Sequence, residues 1–183
     1  GTDSASIIRV KVSGSQHDGI NLRDSTHYTL RGNHVLSNDA DGIKYNNASG
    51  PTGSNLIKNN QIKNNNESGI VLEAEDDETK VLGNRVVGNL NHGIELWNNS
   101  NDYIRNNEVL TSTGNGLHFM FFLGGTSDSH TVVQNDFQNN QGWQIAISSG
   151  DYNTFDRNNL ETSSTSPDKG FYNGDQENLD ITR

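Results

Sequence analysis

Apolar residues recur along this chain in a fixed frame rather than at helical intervals. Aligning Asp18-Gly19-Ile20, Asp41-Gly42-Ile43, Ser68-Gly69-Ile70, His92-Gly93-Ile94 and Asn115-Gly116-Leu117 gives glycine spacings of 23, 27, 24 and 23 residues. Nine residues before the last four glycines stand Asn33, Asn60, Asn84 and Asn107, and Asn135 and Asn158 continue the series. An apolar residue lies three positions before each of these asparagines (Leu30, Ile57, Val81, Ile104, Val132, Phe155), and another lies two positions after it (Val35, Ile62, Val86, Val109, Phe137, Leu160). The first repeat keeps the frame through Ile7, Val12, Gly19, Ile20 and Leu22, with Val10 in the asparagine position.

Successive side chains of a strand point to opposite faces, so each repeat predicts short strands joined by Asn- and Gly-rich turns. Stacked at the strand spacing of about 4.8 Å, about seven such coils make an all-β right-handed parallel β-helix. The asparagines point inward, and their amides link coil to coil and satisfy turn backbone. The repeated glycines are read as turn positions needing positive φ. Insertions after Asn46 and after Phe119 predict loops rimming a binding face, with the outward members of the cluster Phe119, Phe121, Phe122 and Leu123 packing under the second or against a partner. The last coil is irregular around Pro167, and Leu179 and Ile181 read as the opening of an eighth. Residues 1–183 are read as one domain. Its ends lack evident caps, so we expect a piece of a longer protein, or an adjoining domain or homo-oligomer that covers them.

Composition suits a solenoid. Only 30% of residues are hydrophobic, and each coil of a solenoid buries just a thin inward stripe. A net charge of −10 disfavours nucleic acid, whose phosphates call for a basic face. An acidic polysaccharide meets the same repulsion unless local cations or a bound divalent ion offset it. The absence of cysteine excludes disulfides and thiolate metal sites, and no apolar run has the length of a membrane span.

The second and fourth residues after each glycine point outward, laying down two columns. The first reads Asn21, Lys44, Val71, Glu95, His118, Ala146; the second reads Arg23, Asn46, Glu73, Trp97, Met120, Ser148. The residue before each glycine adds Asp18, Asp41, Ser68, His92 and Asn115. This face is the candidate site. Proton abstraction from a sugar carbon needs a base, a proton donor and a cation for an adjoining carboxylate. His92, His118, Glu95 and Glu73 are the catalytic candidates, histidine because its ordinary pKa lies near neutrality and the two glutamates also as a hydrolytic carboxylate pair. Lys44 and Arg23 would bind a carboxylate, Trp97 would offer a flat surface to a sugar ring, and Asp41 would contact substrate. The alternative is a solvated face of mixed charge. His17, His27, His34 and His130 are read as solvent-exposed turn residues. In the acidic run from Glu73 to Glu78, Glu75, Asp76 and Asp77 are candidate calcium ligands, although the run lacks the spacing of a defined calcium loop.

The repeat N-x-[IVF], followed seven residues later by G-[IL]-x-[apolar], resembles the parallel β-helix repeats of carbohydrate-binding and sugar-hydrolysing proteins. Ser25 to Asn33, Asp39 to Ile43, and Pro51 followed by Ser54 to Ile57 are similar to the later coils of mannuronan C5-epimerase catalytic modules. That resemblance implies a carbohydrate-active protein acting on a polyuronate such as alginate, by C5 epimerisation or β-elimination. It implies a secreted, periplasmic or cell-surface location, although no signal sequence is present. The Asp-Pro-His tripeptide of that family is absent, which would place this chain downstream of the epimerase active site. The competing expectations are a non-catalytic glycan-binding or adhesive module of a larger surface or phage-tail protein, and a plain structural scaffold.

Overall fold

The computed structural model describes residues 4–47, 54–74, 78–120, 127–162, 169–174 and 180–182. Among these, 22 short strands form three parallel sheets of eight, seven and seven strands, each strand pairing with its equivalents one coil away. This is the expected β-helix of seven stacked coils. Asp180–Thr182 adds an eighth strand to the first sheet, where the sequence opens an eighth coil. The third sheet carries the candidate face and comprises Ile20–Arg23, Ile43–Asn47, Ile70–Ala74, Ile94–Trp97, Leu117–Met120, Ile145–Ile147 and Phe171–Asn173. The stretches 48–53, 121–126 and 163–168, with Pro51, Phe121, Phe122, Leu123 and Pro167, lie outside the described residues, as does Leu179.

The inward apolar positions stack in register. Ile57, Val81, Ile104, Val132 and Phe155 form one column, and Ile62, Val86, Val109 and Phe137 another, nearly all without exposure. Phe119 belongs to this core.

Asparagine closes the corner between the first and second sheets. The amide N–H and Nδ2 of Asn60 both donate to Asn84 Oδ1 at 2.9 Å, and Nδ2 also donates to Leu30 O. Asn60 Oδ1 in turn accepts from Asn33 N and Nδ2. The pattern runs from Asn33 to Asn158. Where Val10 replaces asparagine, its N–H still donates to Asn33 Oδ1.

Two further ladders escaped the sequence reading. Ser15, Asn38, Asn65, Asn89, Ser112 and Asn140 follow the first ladder at an interval of five residues and line the next corner. Ser112 is too short for the pattern, and Asn89 Nδ2 is buried there without a hydrogen-bond partner. At the third corner, backbone N–H groups donate to the side chains of Asn55, Asp102, His130 and Asn153. His130 is therefore fully buried, not exposed as expected. Its Nδ1 accepts from the N–H of Asp102 at 3.2 Å, so it serves as an asparagine substitute. His17, His27 and His34 are exposed as expected.

The repeated glycines have a different cause from the one expected. Gly19, Gly42, Gly69, Gly93 and Gly116 do not adopt positive φ. A Cβ on Gly69 would lie 2.4 Å from Val86 Cγ1 and 2.7 Å from Gly93 O, and the other four are similarly enclosed. They permit close approach of coils. Positive φ falls instead on the residue just before each position of the first two ladders, such as Asn59, Asn64, Gly83, Gly88, Asn106 and Asn139. Glycine and asparagine tolerate that conformation best, which explains the abundance of both.

Two stability effects follow. Ser112→Asn completes the second ladder and is expected to raise unfolding free energy by about 1 kcal/mol in urea titration, since it satisfies a buried donor. Destabilisation would show that the corner has no room for it. Burial pushes the His130 pKa down to about 4 from 6.5. The unfolded chain therefore takes up this proton before the folded one, and stability drains away as pH falls from about 6.5 toward 4. His130→Asn keeps the acceptor and is expected to remove on the order of 3 kcal/mol of that acid-side decline relative to wild type, read from urea midpoints across the window.

Candidate functional site

Parallel register places the outward columns as the alternation requires. Asn21, Lys44, Val71, Glu95, His118, Ala146 and Tyr172 are Cα partners in sequence, as are Arg23, Asn46, Glu73, Trp97 and Met120. Much of this face is not solvated surface, for Val71, Glu95 and Ala146 are each under 5% exposed.

The residues before the glycines form a fourth ladder that borders the face. Asp41 N donates to Asp18 Oδ1, Ser68 N to Asp41 Oδ1, His92 N to Ser68 Oγ, Asn115 N to His92 Nδ1, and Trp143 N to Asn115 Oδ1, at 2.8 to 3.2 Å. Asp41, Ser68 and His92 thus serve the fold with one hydrogen bond and keep a further hydrogen-bonding capacity, Asp41 Oδ2, the Ser68 hydroxyl proton and His92 Nε2.

Asp41, Lys44, Glu67, Val71, Glu73, Asn91, Glu95 and Trp97 line a cleft of about 360 Å³. Lys44 Nζ sits 2.8 Å from Glu73 Oε1 and 3.8 Å from Asp41 Oδ2. Asn46 Nδ2 donates to Glu73 Oε2 at 2.6 Å, so both oxygens of Glu73 are engaged. Burial would lower the Lys44 pKa, but the hydrogen bond and charge of Glu73, with Asp41 and Asp18, raise it overall and keep the ammonium charged. Burial pushes the Asp41 carboxyl up to about 7; the Ser68 N–H and Lys44 oppose this, while Glu67 and Asp18 add to it. Asp41 therefore exchanges a proton near neutrality, where a general acid or base works best.

His92 and His118 meet beside the cleft, with Nε2 and Nδ1 3.2 Å apart and ring centroids at 4.5 Å. Their tautomers follow from the fourth ladder. The Asn115 N–H must donate, so His92 Nδ1 holds a lone pair and the His92 proton sits on Nε2. That proton points to His118 Nδ1, which leaves the His118 proton on Nε2, facing Ser148 Oγ at 3.1 Å. Burial first, and for His118 also the neighbouring ring, lowers both pKa values to about 4. Neither ring then presents a lone pair to the cleft. Base chemistry on this face falls to carboxylates.

His92, Glu95 and His118 also bring three ligand atoms within 4.8 Å of one another. Two have the support a divalent metal needs, for Ser68 Oγ donates to Glu95 Oε2 at 2.8 Å and Ser148 faces His118 Nε2. His92 does not, because a ligating Nε2 would require its proton on Nδ1, against the Asn115 N–H. The network as built favours a proton over a metal there. Glu75, Asp76 and Asp77 lie outside the described residues.

The structure brings together seven of the eight expected site residues. Lys44, Glu73, Glu95, Trp97 and Asp41 share the cleft, and His92 and His118 adjoin it through Glu95, whose Oε1 lies 3.9 Å from His92 Nε2. Arg23 is exposed and bonded to Asn21 at 3.3 Å, apart from the cleft lining. The roles of Ser68, Asn46, Asn91, Glu67 and Ser148 are not among the sequence expectations, although Ser68, Asn46 and Ser148 stand in the aligned rows.

A family model described as right handed beta helix region matches residues 1–160. The fold matches the crystal structure of a periplasmic alginate epimerase, AlgG, with a TM-score of 0.70 and 17% identity over 98% of this chain. It matches the Azotobacter vinelandii mannuronan C-5 epimerase AlgE4 A-module at 0.63 and 13% over 96%, and the Agl-KA catalytic domain at 0.65 and 14% over 99%. This chain spans 43%, 54% and 47% of those chains respectively. No curated protein sequence matches it.

The tautomer assignment has a direct check. Long-range ¹H–¹⁵N NMR is expected to show both His92 and His118 as Nε2–H imidazoles that stay neutral from pH 7 down to about 5. A protonated Nδ1 on either ring at pH 7 would contradict the network.

Proposed function

Because the chain belongs to the right-handed β-helix family, we propose that it is a carbohydrate-active β-helix that acts on a polyuronate at the Asp41–Trp97 cleft. The observation that carries this reading is a buried carboxyl, Asp41, held 3.8 Å from the Lys44 ammonium on the cleft wall, where burial pushes its pKa up to about 7. Loss of the proton at C5 of a uronate needs that combination. Lys44 offsets the sugar carboxylate, which gains charge as the proton leaves, and ionised Asp41 accepts the proton. Delivery of a different proton, from solvent or a second acid, to the opposite face of C5 gives the epimer; breaking the C4–O bond instead, with the departing glycosidic oxygen taking up a proton, gives an unsaturated end. Trp97 supplies a flat wall for the ring. The similarity to alginate epimerase folds agrees with a polysaccharide substrate and with a periplasmic or extracellular setting. Four carboxylates around Lys44 make the cleft acidic, so a bridging divalent cation such as calcium would strengthen binding.

The closed histidine pair and the missing Asp-Pro-His tripeptide favour a second reading, a glycan-binding solenoid without turnover.

The test is an NMR assay of polymannuronate in deuterated water, with and without calcium, using wild type, Asp41→Asn and Lys44→Met. Deuterium at C5 or new unsaturated ends is expected. The rate should rise with pH through about 7 as Asp41 ionises, and should fall at least about a hundredfold in Asp41→Asn. Turnover that survives Asp41→Asn sinks this assignment. Polymer line broadening without turnover in wild type establishes the binding module.

A further inference from the structure

The fourth ladder continues beyond His92 and Asn115, and the next residue in its row is aromatic. Trp143 takes the row position of Asp41 and His92, its backbone N–H held by Asn115 Oδ1 at 2.8 Å. Its ring stacks on Tyr172, with centroids 5.3 Å apart and planes tilted by 33°. Tyr172 occupies the column of Lys44, Glu95 and His118 and is 42% exposed. Between His118 and Tyr172 the column position is Ala146, the smallest side chain in that column. Two residues along the same strand direction, Ser148 Oγ accepts a hydrogen bond from His118 Nε2–H. That leaves the serine's own O–H as a donor aimed away from the histidine.

We propose that this arrangement around Ala146 is a second sugar-binding position, with Trp143 and Tyr172 supporting the apolar face of a pyranose and Ser148 donating to one of its oxygens. The proposal rests on the cleft being a glycan site and extends that site along the sheet. An aromatic platform beside a directional donor is the chemistry that recognises a ring with one apolar face and a polar rim. The spacing also fits. Ala146 lies four coils from Lys44, about 19 Å at the strand repeat of about 4.8 Å. A polysaccharide advances by nearly one strand spacing per pyranose, so one chain running along the solenoid axis would occupy both positions, whereas a short oligomer would reach only one. The histidine pair between them then acts as a positioning device: its fixed tautomers set the direction of the Ser148 hydroxyl.

Short and long oligomannuronates, titrated against the full chain and followed by NMR, test this. In wild type the long oligomer is expected to move both the Trp97 and Trp143 indole resonances, and the short one Trp97 more than Trp143. Trp143→Ala and Tyr172→Ala should each weaken the long oligomer by about tenfold and leave the short one unchanged. Ser148→Ala should do so more mildly, with Ser148→Thr restoring affinity. If the long oligomer binds and Trp143 does not move, the second position is wrong and the cleft stands. Movement of Trp143 alone supports the second position and removes the cleft. Stillness of both indoles with every oligomer overturns both. The wild-type resonances decide the matter even if a variant does not fold.

Discussion

A backbone N–H entering the corner of a coil has no partner within its own coil, and the whole solenoid is organised around where that proton goes. In four separate rows it goes to a side-chain acceptor on the neighbouring coil. A buried amide left without an acceptor costs about 1 to 3 kcal/mol, and there is one at nearly every corner, so the acceptors matter more than any single apolar contact. Asparagine suits this best. Its carbonyl takes the neighbour's N–H while its NH₂ passes the pattern on, as Asn60 and Asn84 do. In the first two ladders the left-handed residue just before each position turns the amide toward the neighbouring coil.

The candidate site is a modified stretch of the same device. In the fourth row the acceptors change from coil to coil, through Asp18, Asp41, Ser68, His92 and Asn115, and the middle three keep further hydrogen-bonding capacity beside the outward face. Asp41 keeps Oδ2 beside Lys44; Ser68 keeps a hydroxyl proton for Glu95; His92 keeps Nε2–H for His118. Fold and chemistry share residues here, and the structural use limits the chemical one. Because His92 Nδ1 is committed to a backbone amide, the histidines become donors, and the titrating group of the cleft is the carboxyl of Asp41.

The architecture was legible because its signal is periodic. Asn33 to Asn158, with Ile57 or Val86 at fixed offsets, leaves little choice but stacked coils. The outward columns were legible for the same reason, since alternation alone places Lys44, Glu95 and His118 in one row. The glycines were misread because close approach and positive φ demand the same residue, and only the proximity of Val86 to Gly69 separates them. His130 was misread because it interrupts an acceptor row made of Asn55, Thr79, Asp102 and Asn153, whose variety hides the repeat. The second ladder stands in the sequence five residues after the first, with serine at two of its positions breaking the asparagine repeat. Roles within the site needed geometry, because burial of Asp41 and the direction of the Asn115 N–H are properties of neighbouring coils, not of local sequence.

These corner amides are the structure's principal restraint. Amide hydrogen exchange tests this most directly. The N–H groups of Asn60, Asn84 and Asn107, together with Ser68 and Asn115 in the fourth row, should exchange as slowly as the core-strand amides of Val81 and Ile104 and open only with global unfolding. Exchange of those corner amides at rates typical of exposed turns, while the strand amides stay protected, would show that the apolar column holds the solenoid and that the ladders merely decorate it.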